Sequence, residues 1–140
     1  MSKTRMLDTQ TLVWLVTGDS RLPQPLREDI EYFQHRYMVS MLSWMELSHL
    51  LEHNKLRGVR LGLASAMDKA SELGIETDVF GIANLTVLDR LPMLTVGGKL
   101  HADPFDRGII AQAITMGATL ISSDLKFPSY RMYGLDLIEV

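Results

Sequence analysis

The chain has 140 residues, of which 46% are hydrophobic and 22% are charged, and its formal net charge is −3. This is the composition of a globular protein, and the length suits one domain, which we expect to span residues 1–140. The sequence contains no cysteine, which excludes disulfides, thiolate metal sites and cysteine nucleophiles. The mildly acidic balance offers no general basic field to attract nucleic acid, although a bound metal ion can supply positive charge locally.

Neither a signal peptide nor a membrane span is visible in the sequence. Residues 1–5 are mostly polar, with no apolar core behind them. The longest apolar runs are far shorter than the roughly 20 residues that cross a bilayer. We therefore expect no membrane association, and the absence of cysteine is compatible with a cytoplasmic location.

The first half of the chain alternates short strands with helices. Thr4–Leu7 reads as a strand that ends at Asp8, and Thr9–Thr17 carries apolar residues at helical spacing before Gly18 stops the helix. The remaining elements predicted in this half are a helix over Pro25–Arg36, a strand over Tyr37–Ser40, a helix from Ser43 to a break at Gly58, and a helix over Val59–Leu73. A polar residue between a strand and a helix is typical of the start of a βα unit.

The second half continues this alternation. Pro104–Met116 is predicted as a helix that Gly117 ends, and Ala118–Ser122 as a strand. The other predicted elements are a strand over Ile75–Asp78, a helix over Val79–Leu91, a loop or small hairpin over Met93–Leu100, an irregular loop over Ser123–Gly134 and a strand over Leu135–Val140. Alternating strands and helices predict an α/β fold, a three-layer α/β/α sandwich with a mostly parallel central sheet.

Acidic residues fall where predicted strands end or helices begin. Asp8 ends the first strand, Glu46 follows the second, Asp103 and Asp106 open the helix at Pro104, and Asp124 follows the strand Ala118–Ser122. These positions meet at one edge of a parallel sheet, where ligands bind. Clustered carboxylates repel one another by roughly 1–4 kcal/mol, which a cation between them offsets. Their oxygens are the ligands that Mg²⁺ and Mn²⁺ prefer.

Each acid also has a purely structural explanation. Asp8 and Asp103 suit helix N-caps, and Ser43 with Glu46 fits the capping box. Asp124 is an ordinary turn residue. Serine or asparagine would cap as well, so acids at all of these junctions favour a shared site over independent caps.

The four histidines form no recognisable metal motif. His49 and His53 are four residues apart on a predicted helix, but they lack the glutamate of an H-E-x-x-H pair. His101, which precedes the acidic pair of the late helix, is assigned no role.

The residues around the acids resemble the PIN domain. The resemblance covers nearly the whole chain in order, and it is strongest for the branch of VapC-like toxins that carries a His-Arg-Asp-Pro-Phe-Asp-Arg motif. It is carried by Met6–Thr9, Val39–Ser40 with Glu46, Asp103–Arg107 followed by Ile110–Ala113, and Leu120–Asp124. Asp-Pro-Phe-Asp-Arg before an apolar helix is its most specific part.

The resemblance implies a metal-dependent endoribonuclease, usually the toxin of a toxin–antitoxin pair. The four acids of the family match Asp8, Glu46, Asp106 and Asp124, and Asp103 is the additional acid of this branch. The resemblance also implies a homodimer and a small antitoxin whose C-terminal segment covers the acidic groove. Two further residues are predicted to support the site or contact substrate: Ser122, the small hydroxyl residue before the last acid, and Arg107.

We expect Asp8, Asp106 and Asp124 to hold one or two Mg²⁺ or Mn²⁺ ions. Glu46 and Asp103 would bind a second ion or orient the attacking water. A phosphodiester is anionic, and metal ions would reverse the sign of the acidic pocket for it. The expected products of RNA hydrolysis are a 5′-phosphate and a 3′-hydroxyl.

Three departures from the branch concern the surroundings of the site rather than its acids. Ala102 stands where the branch usually has arginine, Gln10 where it often has histidine, and Leu94–Leu100 is longer than usual. Two other functions remain open. A haloacid-dehalogenase-like phosphatase would use Asp8 as nucleophile, but its chemistry requires a second aspartate at position 10, where this chain has Gln10. A non-catalytic interaction module would use the acids as caps only.

Overall fold

The computed structural model describes residues 3–56 and 58–140. Its main strands are β1 (Arg5–Leu7), β2 (Tyr37–Ser40), β3 (Glu76–Asp78), β6 (Thr119–Ser122) and β7 (Asp136–Glu139). They form one sheet in the order β3-β2-β1-β6-β7, and every pairing in it is parallel. The short strands β4 (Thr95–Val96) and β5 (Lys99–Leu100) form a separate antiparallel hairpin.

Helices connect the strands of the sheet. Those within the described ranges are α1 (Thr9–Thr17), α2 (Gln24–Glu31), α3 (Met41–Glu52), α4 (Leu63–Glu72), α5 (Ile82–Arg90), α6 (Pro104–Met116) and a 3₁₀ helix (Phe127–Tyr133). None of the helices in the described part of the chain combines the length and apolar character that a membrane span requires.

The sheet separates two apolar cores. Leu7 and Ile121 pack with residues of α1 to α4, whereas their neighbours Met6 and Leu120 pack with α6 and the 3₁₀ helix. Successive side chains of a strand point to opposite faces, so each central strand contributes to both cores. The predicted three-layer α/β/α sandwich with a parallel central sheet is therefore confirmed.

The two helices that carry aspartate at the start and glycine at the end have the predicted bounds. The N-caps of α1 and α6 are Asp8 and Asp103, and their C-caps are Gly18 and Gly117. Both glycines are left-handed, with φ near 70°, a conformation that glycine adopts without the steric cost of a Cβ. Each cap aspartate is thus fixed at the edge of the sheet by the helix that it begins.

The predicted start of α3 was wrong. The helix begins at Met41, and its N-cap is Ser40, whose Oγ accepts a hydrogen bond from the backbone N–H of Leu42 at 2.9 Å. Ser43 is instead buried inside the helix, where its Oγ accepts a hydrogen bond from the Thr9 hydroxyl. The capping box of Ser43 and Glu46 does not form, and Glu46 lies in the second turn of α3.

Other boundaries differ where the chain turns before or after the predicted residue. α2 ends at Glu31 rather than Arg36, because Phe33 takes a positive φ of 53° and the chain leaves the helix. α4 begins at Leu63, four residues later than predicted, and α5 begins at Ile82, three residues later.

The Met93–Leu100 segment, predicted as a loop or small hairpin, forms the hairpin. Gly97 and Gly98 both have positive φ, as its two-residue turn requires. The 3₁₀ helix lies inside the segment predicted as an irregular loop.

Candidate metal and catalytic site

All five predicted acids line one cavity of about 330 Å³ at the carboxyl edge of the sheet. They are Asp8, Glu46, Asp103, Asp106 and Asp124. Four structural elements bring them there: the end of β1, the second turn of α3, the first turn of α6 and the loop after β6. The fold thus brings together the acids that the sequence pattern grouped.

Asp8 is the most enclosed of the five and the most firmly held. It is 4% exposed. Its Oδ1 accepts hydrogen bonds from the backbone N–H of Thr11 at 2.8 Å and from the Thr11 hydroxyl at 2.7 Å. Its Oδ2 accepts from the hydroxyl of Ser122 at 2.5 Å. Ser122 therefore positions Asp8, which agrees with the supporting role predicted for it.

Asp103 caps α6 with one oxygen. Its Oδ1 accepts from the backbone N–H groups of Phe105 and Asp106, at 2.9 and 3.1 Å. Its Oδ2 receives no hydrogen bond from the described residues, so the cap leaves one oxygen available for a cation. Capping and metal binding are therefore compatible roles for this residue.

Asp106 is held by a pair of buried aromatic side chains. Nε2 of His101 lies 3.2 Å from Asp106 Oδ2, and Nδ1 of His101 lies 2.7 Å from the hydroxyl of Tyr130. His101 is 3% exposed and Tyr130 is fully buried. The contact links the start of α6 to the 3₁₀ helix.

Asp124 lies in a turn, as its purely structural interpretation predicted. Its Oδ1 accepts from the backbone N–H of Lys126 at 2.9 Å, and the Lys126 ammonium lies 3.4 Å from its Oδ2. The Asp124 backbone N–H donates to Ser122 at 3.0 Å. Ser122 thus connects Asp8 and Asp124 on adjacent strand ends.

The three acids with the closest oxygens differ from the predicted ligand set. Glu46, Asp103 and Asp106 each offer one oxygen, and these atoms all lie within 4.8 Å of one another. The predicted set was Asp8, Asp106 and Asp124. Asp8 and Asp124 line the same cavity, but each has oxygens that already accept hydrogen bonds from the chain.

Burial and mutual repulsion raise the pKa values of three of the acids. Burial, together with the charges of Asp103, Asp124 and Glu46, raises the pKa of Asp106 to about 7. Burial also raises the pKa of Asp8, although the hydrogen bonds from Ser122 and Thr11 oppose the increase. The pKa of Glu46 is raised by burial and then by Asp103 and Asp8. Since burial and neighbouring charges oppose ionisation of these carboxyl groups, a cation bound among them would stabilise their charged forms.

Burial lowers the pKa of His101 and favours a neutral imidazole. Since an ionised Asp106 can only accept a hydrogen bond, Nε2 carries the ring hydrogen and Nδ1 accepts from Tyr130. His101 is then a donor to Asp106 rather than a metal ligand.

Arg107, predicted to support the site or contact substrate, does not line the acidic cavity. Its guanidinium donates to the backbone carbonyls of Leu91 and Pro92, at 3.1 and 3.0 Å, just beyond the end of α5. The side chain is 8% exposed. Arg107 therefore links α6 to the residues that directly follow α5.

The sequence interpretation missed His101, Tyr130 and Thr11. The position of His101 beside the acidic motif was visible, but its partner Tyr130 is 29 residues away in a segment predicted as a loop. Thr11 is three residues after Asp8, the spacing at which a cap receives the N–H of its own helix. That signal was available for Thr11, whereas the tyrosine contact depends on the fold.

Known proteins share the family signature and the fold of this chain. The model of the PIN domain family matches residues 5–131. No curated protein shows significant sequence similarity to the chain. Similar solved structures include VapBC2 from Rickettsia felis bound to a promoter DNA fragment, which is 19% identical, covers 97% of this chain and 98% of that chain, and has a TM-score of 0.67.

Two further structures are equally similar. DNA-bound VapBC from Salmonella typhimurium is 18% identical over 99% of this chain and 98% of that chain, with a TM-score of 0.69. VapBC-5 from Mycobacterium tuberculosis, a member of the VapBC family of toxin–antitoxin systems, is 17% identical over 99% of this chain and 100% of that chain, with a TM-score of 0.64. At these identities the likeness shows a shared fold.

Proposed function

Because the chain belongs to the PIN domain family, we propose that it is a metal-dependent endoribonuclease and the toxin of a toxin–antitoxin pair. The observation that carries the proposal is the convergence of Asp8, Glu46, Asp103, Asp106 and Asp124 on one cavity. Helix capping explains the positions of Asp8 and Asp103, and a turn explains that of Asp124. Neither explanation requires the carboxylates of Glu46 and Asp106 to approach that of Asp103.

The donor set fits a hard divalent cation. Carboxylate oxygens alone approach one another at Glu46, Asp103 and Asp106, and no thiolate exists in the sequence, which is typical of Mg²⁺ or Mn²⁺ sites. Glu46, Asp103 and Asp106 would hold the ion, with Asp8 and Asp124 as further ligands. When bound, the ion would supply the positive charge that an anionic phosphodiester needs and would acidify water.

The protein residues would then orient the reactants. Ser122 and Thr11 keep Asp8 in one conformation, and His101 does the same for Asp106. Glu46, whose pKa is raised by burial, is placed to accept a proton from the attacking water. The water oxygen would bond to phosphorus as the bond to the 3′-oxygen breaks, and the leaving 3′-oxygen would take up a proton, which gives a 5′-phosphate and a 3′-hydroxyl.

Two partners belong to the same proposal. The similar structures from Rickettsia felis and Salmonella typhimurium are VapBC complexes, and we infer for this chain an antitoxin whose C-terminal segment covers the acidic cavity. A homodimer would cover the exposed side chains Met41, Met45 and Met67 on α3 and α4. We place the protein in the cytoplasm, where RNA is available.

The test is cleavage of a mixed RNA pool in the presence of Mg²⁺, Mn²⁺ or EDTA. Wild type should cut with either ion and stop with EDTA, and Asp106→Asn should lose the activity. The matched control is Asp68→Asn, an exposed aspartate of α4 outside the cavity, which should cut like wild type. Equal activity in Asp106→Asn and Asp68→Asn would contradict the proposal.

A non-catalytic interaction module remains the second candidate, because Asp8 and Asp103 do cap helices. It requires no cation. Absence of Mn²⁺ binding and of RNA cleavage in wild type would favour this candidate, and Mn²⁺ binding that Asp106→Asn weakens would exclude it.

A further inference from the structure

A second cavity, of about 640 Å³, adjoins the acidic one. Gln10, Val13 and Leu56 line both cavities, so the two are direct neighbours. We call the second cavity the basic groove. Its described walls are one side of α1, the turn after α1, and residues 55–56 and 58–61 between α3 and α4.

The charge changes sign between the two cavities. The acidic cavity contains five carboxylates, whereas the charged residues that the structure describes in the basic groove are Asp19, Arg21, Lys55 and Arg60. Arg21 binds Asp19 with an N–O distance of 2.7 Å, and these two charges cancel locally. Lys55 and Arg60 are exposed and form no salt bridge with the described residues. The groove therefore carries two uncompensated positive charges in a chain of net charge −3.

This arrangement fits an extended polyanion better than a small ligand. A single phosphate ester would need only the acidic cavity with its cation. A strand that places one phosphate there must place its neighbouring phosphates along an adjoining surface, and Lys55 and Arg60 supply the charge for them.

The groove is suited to the backbone of the strand rather than to its bases. Its apolar residues are Val13, Val16, Leu56, Val59 and Leu61, and none of its lining residues in 3–56 and 58–140 is aromatic. Base stacking, which requires aromatic platforms, is absent from this lining, so recognition there would be tolerant of sequence.

We propose that the basic groove binds the RNA strand on one side of the scissile bond, with Lys55 and Arg60 contacting backbone phosphates. This inference rests on the proposed function and adds a substrate-binding site to it. Lys55 and Arg60 lie outside the acidic cavity, so they contribute to affinity for long RNA and not to metal binding.

The experiment measures binding of a labelled oligouridylate of about 20 nucleotides across a salt series, with Ca²⁺ in place of Mg²⁺ to limit cleavage. The variant is Lys55→Gln with Arg60→Gln. We expect affinity at low salt to fall about tenfold and the slope of log affinity against log salt to decrease by about 1.4, since each phosphate contact of a single strand contributes about 0.7. Mn²⁺ affinity, measured by electron paramagnetic resonance, should stay at the wild-type value.

The matched control is Lys69→Gln with Arg90→Gln, which removes two exposed cations of α4 and α5 that line neither cavity. This control should keep the wild-type slope. An unchanged slope in the Lys55 and Arg60 variant, or an equal loss in the control, would overturn the inference. Wild-type RNA affinity together with weaker binding of polyglutamate would also overturn it and assign the groove to an acidic protein partner.

The two proposals fail in different ways. If wild type cuts no RNA with Mg²⁺ or Mn²⁺ and binds no oligouridylate, the proposed function fails and this inference fails with it. If wild type cuts RNA in a metal-dependent manner while the groove variant keeps the wild-type slope, only the groove is wrongly assigned.

Discussion

The hydroxyl of Tyr130 lies 2.7 Å from Nδ1 of His101, and both side chains are buried. When Asp106 is ionised, Nε2 of His101, 3.2 Å away, carries the ring hydrogen and donates to it, and Nδ1 accepts from the Tyr130 hydroxyl. The carboxylate thus sets the tautomer of the histidine, and the histidine fixes one oxygen of the carboxylate. Asp106 Oδ1 receives no hydrogen bond from the described residues and is left available to a cation.

Replacing His101 should therefore weaken metal binding. We expect His101→Ala to lower Mn²⁺ affinity by about 10- to 100-fold, the usual effect of losing a residue that orients a metal ligand. Tyr130→Phe keeps the aromatic packing and should have a smaller effect in the same direction. Isothermal titration with Mn²⁺ measures both, and His53→Ala on the exposed end of α3 is the control. Equal affinity in His101→Ala and His53→Ala would contradict this role.

Asp106 should destabilise the metal-free protein at neutral and alkaline pH. Its pKa is about 7 in the folded state against a reference value of 3.8. Between these values the folded protein binds more protons than the unfolded chain, so the free energy of unfolding decreases as pH rises from about 4 to about 7. The full difference corresponds to about 4 kcal/mol, which partial solvation reduces to about 1–3 kcal/mol.

Asp106→Asn should remove this dependence. In EDTA at pH 8, urea denaturation should show the variant about 1–3 kcal/mol more stable than wild type, and the two should converge near pH 4. Asp68→Asn should follow the wild-type curve. If the variant were less stable than wild type at pH 8, ionised Asp106 would not destabilise the folded protein, and the prediction would be wrong.

Gly108 lies where α6 packs closely against the side chain of Leu42 from α3. A Cβ at this position would overlap Cδ1 of Leu42, so that the leucine side chain would have to shift. Helix propensity alone predicts that Gly108→Ala stabilises by about 0.5–1 kcal/mol. We expect the opposite, a destabilisation of about 1–3 kcal/mol from overpacking.

The double variant separates these effects. In a Leu42→Ala background the methyl group has room, and Gly108→Ala should then be neutral or stabilising in thermal denaturation. An equal cost of Gly108→Ala in both backgrounds would mean that Leu42 is not the obstacle.

Arg107 should contribute to stability and not to substrate binding. Arg107→Gln removes the hydrogen bonds to the carbonyls of Leu91 and Pro92, which should cost about 1–3 kcal/mol because buried carbonyls lose their donors. The KM for RNA and the Mn²⁺ affinity should remain at wild-type values. A raised KM with unchanged stability would restore the substrate role that the motif suggested.

The sequence predicted best the elements whose ends have their own chemistry. α1 and α6 begin at an aspartate and end at a left-handed glycine, and both were predicted to the residue. α3 was placed two residues late because Ser40 and Ser43 are both acceptable caps, and only the end of β2 decides between them. α5 was predicted three residues too early because its start depends on a local cap: the backbone N–H of Gly81, the N-cap residue, donates to the Asn84 side chain at 2.7 Å.

The membership of the acidic cavity was predictable, whereas its internal arrangement was not. Acids at the ends of parallel strands and in the first turns of the following helices are expected at the carboxyl edge of the sheet, and all five line the cavity there. Which oxygens approach one another depends on the hydrogen bonds that each carboxylate already accepts, as Asp8 from Ser122 illustrates. The place of Arg107 outside the cavity was also not predictable from the motif, because neighbouring positions on a helix face different directions and its guanidinium binds the carbonyls of Leu91 and Pro92.

The strand order has a consequence for protein synthesis. β1 pairs with β6, so Leu7 and Ile121 must meet before Asp8 has Asp124 as a neighbour. A chain that is still emerging from the ribosome cannot complete the carboxylate cluster until Asp124 has appeared, since long-range parallel pairing forms only when both strands are present. The nascent protein therefore completes its five-carboxylate cavity only late in synthesis, after the segment that carries β6 and Asp124 has been made.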